Sequence, residues 1–392
     1  MEAMLNPFIY LAFLLVVWQC YRLRTWHRRF WGVSLFSPRP LSIVRIGSGL
    51  AAGAVFSAIF MLSRLDFTLT ATHMWWLWAA VILLGLIRLR FMNINYAAGI
   101  VCIGVLLSEW IDVTTIDATV REGVLSLQTI DVVSLLLFAG MMTVVSGLLV
   151  MWQGERAYCP LLLPRRGKSV GAIALQSLWA IPVMIPTVTG WFLFPVLTVY
   201  TDLAITRSTQ ARARLSGLMM VVFGITITII SLLSARMQSL LWVAAIWTLI
   251  GQEVWHWWSK HQEQHGTPRY MMRKDGVRVL GVRHGSPAAE MGIAPGDTIT
   301  GANGQAVTHM TELYAALQHS PAFCKLEVTD EQGEKRFVQR SRYANEPHQL
   351  GILPVENTAH PGGISSLDRG WWQFFTKRTH YERLTMEKSR DQ

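Results

Sequence analysis

Up to Trp258 the hydrophobic positions fall in long, nearly continuous runs, with no alternation and no single apolar stripe. Such runs predict helices that are apolar all round. They cover Phe8–Cys20, Ile46–Leu62, Met74–Ile87, Tyr96–Trp110, Ile130–Trp152, Leu215–Leu233 and Leu240–Trp257. Several are shorter than the ~20 residues a perpendicular membrane helix needs, so their ends are expected to extend into flanking residues. Gly171–Tyr200 is ambiguous: with Pro182, Pro186, Pro195 and a turn around Pro186–Gly190, it reads as one kinked span or a tight pair of short ones.

From residue 275 the pattern changes to short elements. Val277–Val282 alternates as a strand. Ser286-Pro287 fits a helix N-cap with proline at the first helical position, and Gly292 ends that helix. Pro295-Gly296-Asp297 is turn chemistry, Thr298–Ala302 a strand, and Asn303-Gly304 a tight hairpin turn. Met310, Leu313, Tyr314 and Leu317 form a helical stripe. Phe323–Thr329 and Lys335–Arg342 make a hairpin around Glu331-Gln332-Gly333.

Composition supports the division. Hydrophobic residues are 52% and charged ones only 15%, against roughly 25% charged in soluble chains. Of the 60 charges, 28 lie in Met1–Trp258 and 32 in the shorter remainder. The expected organisation is a multi-span transmembrane domain over 1–258 with eight or nine crossings, a juxtamembrane linker over 259–274, a small α+β domain over 275–355, and a basic, aromatic tail over 356–392. The fold class is thus a polytopic α-helical membrane domain followed by a small α+β module. The net charge of +10 needs no nucleic-acid partner, because loops flanking membrane spans are themselves Arg-rich. Alternate loops carry 15 Lys/Arg against three if Gly171–Tyr200 crosses twice or re-enters. The positive-inside rule then puts the N-terminus outside and the small domain in the cytoplasm.

Candidate chemistry is sparse. Cys20, Cys102, Cys159 and Cys324 lie far apart, with no paired spacing for a disulfide framework or a thiolate zinc site. Gly47-Ser-Gly49-Leu-Ala-Ala52 matches a dinucleotide pattern but opens an apolar span, so Gly49 and Gly53 read better as close packing by small residues. Gln252-Glu253-Val-Trp-His256 approaches the HExxH of intramembrane zinc proteases, but glutamine replaces the first histidine ligand. No catalytic residue, metal or cofactor is expected, although His256, His261 and His265 could cluster. Trp371-Trp372-Gln-Phe374-Phe375 followed by Lys377-Arg378 suits a membrane interface, a partner groove, or docking onto the preceding domain.

The segment GSPAAEMGIAPGDTITGANGQAV, residues 285–307, resembles a bacterial PDZ domain. The resemblance implies that an extended peptide or C-terminal segment adds to a sheet edge beside a helix. Leu350-Gly351-Ile352 looks like the glycine-containing strand that lines the groove. Glu312 and Ala316 are expected on the groove-facing side of the second helix, with Leu313 and Leu317 toward the core. A polytopic membrane domain with one C-terminal PDZ domain and no protease motif resembles the MinJ-type topological determinants of bacterial cell division. That resemblance implies a non-catalytic scaffold enriched at septum and poles, bridging DivIVA-like proteins to MinD and, through it, the inhibitor MinC. The alternatives are a degenerate site-2-type metalloprotease, or a transporter or secretion component with a regulatory PDZ domain.

Overall fold

The computed structural model describes residues 6–63, 70–112, 117–165, 168–187, 190–319, 323–341 and 350–355. The aromatic tail lies outside the described residues. Four apolar helices come first: α1 (Pro7–Trp31), α2 (Pro38–Ser63), α3 (Ala71–Ile87) and α4 (Ile94–Ser108). A short helix α5 (Ala118–Gln128) follows, in a segment that reads as a loop, and then α6 (Val132–Gln153). Asp131 caps α6, accepting from Val133 N and Ser134 N. Pro38–Leu62, Val132–Gln153 and Thr209–Ser234 are long and apolar enough to cross a membrane; Thr72–Ile87 and Ile94–Ser108 are shorter apolar helices.

The helical expectation fails over Gly171–Tyr200. After β1 (Tyr158–Arg165), the chain forms a long antiparallel hairpin of β2 (Lys168–Thr187) and β3 (Gly190–Ala204). Its inner residues, among them Trp179, Ile181, Val183, Phe194 and Leu197, are buried in the core built by the helices. The prolines fit because of register. Pro182 lies opposite Pro195. The Pro182 carbonyl points at Gly53 of α2, and the Pro195 carbonyl accepts from Trp78 Nε1 at 3.1 Å. Both therefore face away from the partner strand, where a missing N–H breaks no ladder bond.

An open strand edge among apolar helices needs its polar groups satisfied. On β2, Met184 N donates to Ser57 Oγ at 2.9 Å, Gln176 O accepts from Arg45 Nη2 at 2.9 Å, and Pro182 and Pro186 present no donor. On β3, Leu193 O accepts from Asn6 Nδ2 at 3.1 Å. A side chain at Gly49 or Gly53 would collide with the Ala180 or Pro182 carbonyl. The small residues thus pack helix on strand, a close approach that lets Cα–H groups face carbonyls.

Two further helices complete this unit, α7 (Thr209–Ser234) and α8 (Ser239–His265). Gly140 and Gly147 of α6 press on the backbone of α7 at Gly224 and Gly217, one heptad apart on each helix. The segment read as a linker is largely ordered: α8 runs through it to His265, and β4 (Tyr270–Met271) pairs with β2.

The second unit contains β5 (Val277–Val282), α9 (Pro287–Glu290), β6 (Thr298–Ala302), β7 (Gln305–Ala306), α10 (Met310–Gln318), β8 (Phe323–Thr329), β9 (Lys335–Ser341) and β10 (Ile352–Pro354). Its sheet runs β10-β5-β6-β8-β9, with β7 added at β6. Alternation predicts a half-exposed β5, yet all six residues are buried. Val277, Val279 and Val282 face this unit's own core. Leu280, like Val355, packs into the core of the helical unit. The small domain is therefore docked, not tethered.

Candidate peptide-binding groove

The signature residues build the scaffold of the groove. Ser286 caps α9 by accepting from Ala289 N. Asp297 is buried, accepts from Ala294 N at 3.0 Å and pairs with Arg336 at 2.6 Å. Asn303 and Gly304 have φ of 49° and 84°, the left-handed pair a tight hairpin turn requires. Asn303 does more than turn: its Nδ2 donates to Ala316 O at 3.1 Å and its Oδ1 accepts from Lys325 N at 2.9 Å. That bracket holds α10 against β8.

The groove lies between α10 and β10. One edge of β10 pairs with β5, and no strand pairs with the other among the described residues. Gly351 has φ of 80° and sits against Ser286, where a Cβ would collide. This glycine bends the chain into β10, and its carbonyl accepts from Arg283 N at 2.8 Å. Leu350 and Ile352 are buried in the domain's core. A cavity of about 180 Å³ is lined by Arg283, Ser286, Glu290, Tyr314, Arg340, Gly351 and Ile352. Arg340 pairs with Glu290 at 2.7 Å, and Arg283 makes no salt bridge among the described residues.

Of the expected groove residues, Gly351 and Ile352 line this cavity and Leu350 anchors the strand behind it. Glu312 does not line it: its carboxylate accepts from the Thr308 amide at 2.7 Å and hydroxyl at 2.8 Å, closing the N-terminus of α10. Those bonds hold the Glu312 carboxyl below the ordinary carboxylate range. Its capping is therefore complete above that range and lost as pH falls through the lowered pKa. Ala316 is a correction. It is 2% exposed and lies in the core with Leu313 and Leu317. The 313-316-317 spacing is a helical core face, and Tyr314 is the residue that fronts the cavity. Arg283 and Arg340 carried no signal in the sequence. A charged residue at Ala316 is expected to unfold the small domain, because an unpaired buried charge costs several kcal/mol. Glu312→Gln should leave it folded. Circular-dichroism melts of the two full-length variants distinguish these outcomes.

The protease-like motif is engaged structurally. Glu253 accepts from Arg90 Nη2 at 2.7 Å and from Tyr96 Oη at 2.5 Å. The His261 and His265 rings are tilted against each other with centroids 4.0 Å apart, and no group of three or more His, Cys, Asp or Glu able to hold a metal occurs among the described residues.

A PDZ domain family model matches residues 278–328. The chain is 27% identical over 338 residues to a protein of Lacticaseibacillus paracasei named "Probable cell division topological determinant MinJ", covering 79% of this chain and 85% of that protein. A protein of the same name from Lacticaseibacillus casei (strain BD-II) matches to the same extent. "Cell division topological determinant MinJ" of Bacillus subtilis (strain 168) is 35% identical over 133 residues, covering 33% of this chain and 34% of that protein. No solved structure matches. The likeness spans most of the chain, not the PDZ segment alone, and the resemblance to MinJ-type cell-division topological determinants holds.

Proposed function

We propose that this protein is a non-catalytic membrane scaffold that positions cell-division regulators. The observation that carries the reading is a PDZ groove with a strand edge left unpaired among the described residues, fused to a unit of apolar helices, in a chain similar to MinJ-named proteins over 79% of its length. The helical unit would cross the bilayer seven times, through α1 to α4 and α6 to α8. The β2–β3 hairpin would enter and return on one side, which satisfies the loop-charge asymmetry without two extra helices. The PDZ domain is then cytoplasmic and the N-terminus outside. The groove would take a peptide segment of a partner. DivIVA-like and MinD-like proteins are the partners the resemblance supplies, with enrichment at septum and poles. Glu253 carries an ion pair here, not a water-activating role.

One strain tests this. Cells whose own copy is replaced by the chain with a green fluorescent protein after Gln392 should fluoresce at septa and poles, since that reporter matures in the cytoplasm. Cells lacking the protein should be elongated or divide off-centre. Normal length and normal placement of the MinD-like protein in those cells would end the scaffold reading.

A further inference from the structure

The PDZ groove is walled partly by the helical unit. The cavity beside Tyr314, Gly351 and Ile352 is also lined by Val33, from the turn between α1 and α2. That turn is held from three directions. Gly32 closes α1 with φ of 69°, its N–H donating to Arg28 O. Trp31 Nε1 donates to Pro160 O at 3.0 Å. Leu35 O accepts from His284 N of the PDZ domain at 3.0 Å, and the Leu35 side chain, 1% exposed, lies at Gly281 of β5. Val33 is therefore carried to the groove on a fixed segment, which lowers the ordering penalty of using it in recognition.

We propose that Val33, carried by the helical unit, is a specificity-determining residue for the groove, setting which terminal side chain is accepted from the C-terminal segment that the PDZ resemblance implies as ligand. The proposal rests on the peptide-binding reading above. Val33, Tyr314 and Ile352 supply apolar walls to the cavity of about 180 Å³, whose remaining lining includes the charged groups of its rim. The charged rim is Arg283 and the Arg340–Glu290 pair, with a net positive charge that complements a terminal carboxylate. Because one wall belongs to the helical unit, the PDZ domain has this selectivity only while docked. Peptide occupancy and docking of the α1–α2 turn would stabilise each other to the same extent.

The test uses full-length protein in nanodiscs and fluorescein-labelled heptapeptides ending in Ala, Val, Leu or Phe, each with a free carboxylate or a C-terminal amide. Wild-type protein is expected to prefer free carboxylates with large apolar ends. Val33→Glu should weaken binding at least about tenfold, as expected when a carboxylate faces an apolar pocket. Val33→Leu, which keeps the turn apolar, should shift preference toward smaller terminal residues. Tyr314→Glu should abolish binding. If Tyr314→Glu abolishes binding while both Val33 variants bind and rank peptides as wild type does, the composite wall is wrong and the groove stands. If no peptide binds wild type, the peptide-binding reading fails, and this inference with it; if wild type binds and Tyr314→Glu binds unchanged, the peptide sits elsewhere and the inference about Val33 fails while peptide binding stands.

Discussion

Replacing Arg212 by methionine is expected to destabilise the folded protein by about 3–5 kcal/mol, the range for breaking a buried ion pair from one side. Arg212 is 1% exposed. Its Nε and Nη2 donate to the two oxygens of Asp202 at 2.9 and 2.8 Å, and its Nη1 donates to Glu263 at 3.2 Å. Nη2 also reaches Ser259, and Asp202 accepts from Ser216. Glu263 in turn accepts from Ile205 N and Thr206 N, both at 2.7 Å. One guanidinium thus ties the base of β3 to α7 and α8. Removing it leaves two carboxylates facing each other with little solvent. Arg212→Lys keeps the charge but cannot hold Asp202 through two parallel donors, so its loss should be smaller but clear. Melting of the purified variants in detergent, with abundance in cells, measures both. A methionine variant that melts within a few degrees of wild type would mean that the cluster is not buried as described.

The second large effect is expected at the contact between α2 and the hairpin. Gly49→Leu or Gly53→Leu should cost about 3 kcal/mol or more, at or above the upper end for overpacked cores, because the obstacle is strand backbone that has no rotamer to change. Gly47 is the internal control. It sits on the same helix with nothing within 4 Å of an added Cβ, so Gly47→Leu should be nearly neutral. Folding yield and resistance to limited proteolysis of the three variants report the difference. Equal behaviour of Gly47 and Gly49 variants would remove the helix-on-strand packing.

Local chemistry was legible in the residues themselves. Ser286-Pro287, Gly292 and Asn303-Gly304 specify cap, stop and turn within a few positions of one another, so the PDZ elements follow from neighbours alone. The apolar helices were equally readable, since an all-round apolar run has few other outcomes. What the sequence could not decide depends on distant partners. Gly171–Tyr200 reads as helix because a strand buried on both faces loses its alternation. Only the register pairing Pro182 with Pro195, and hydrogen-bond partners from Asn6 at the start of α1, Arg45 and Ser57 of α2 and Trp78 of α3, make a hairpin possible there. Ala316 is core and Tyr314 fronts the groove because α10 packs on β6 and β8 through the Asn303 bracket. Leu280 is buried because β5 has a second unit on its outer face. The two units, and the turns of the second, follow from residues close to one another along the chain. The tertiary structure alone decided that strands run through the core of the first, and that the second is docked so that Val33 meets its groove. Both decisions rest on backbone carbonyls and apolar faces whose partners lie more than a hundred residues away.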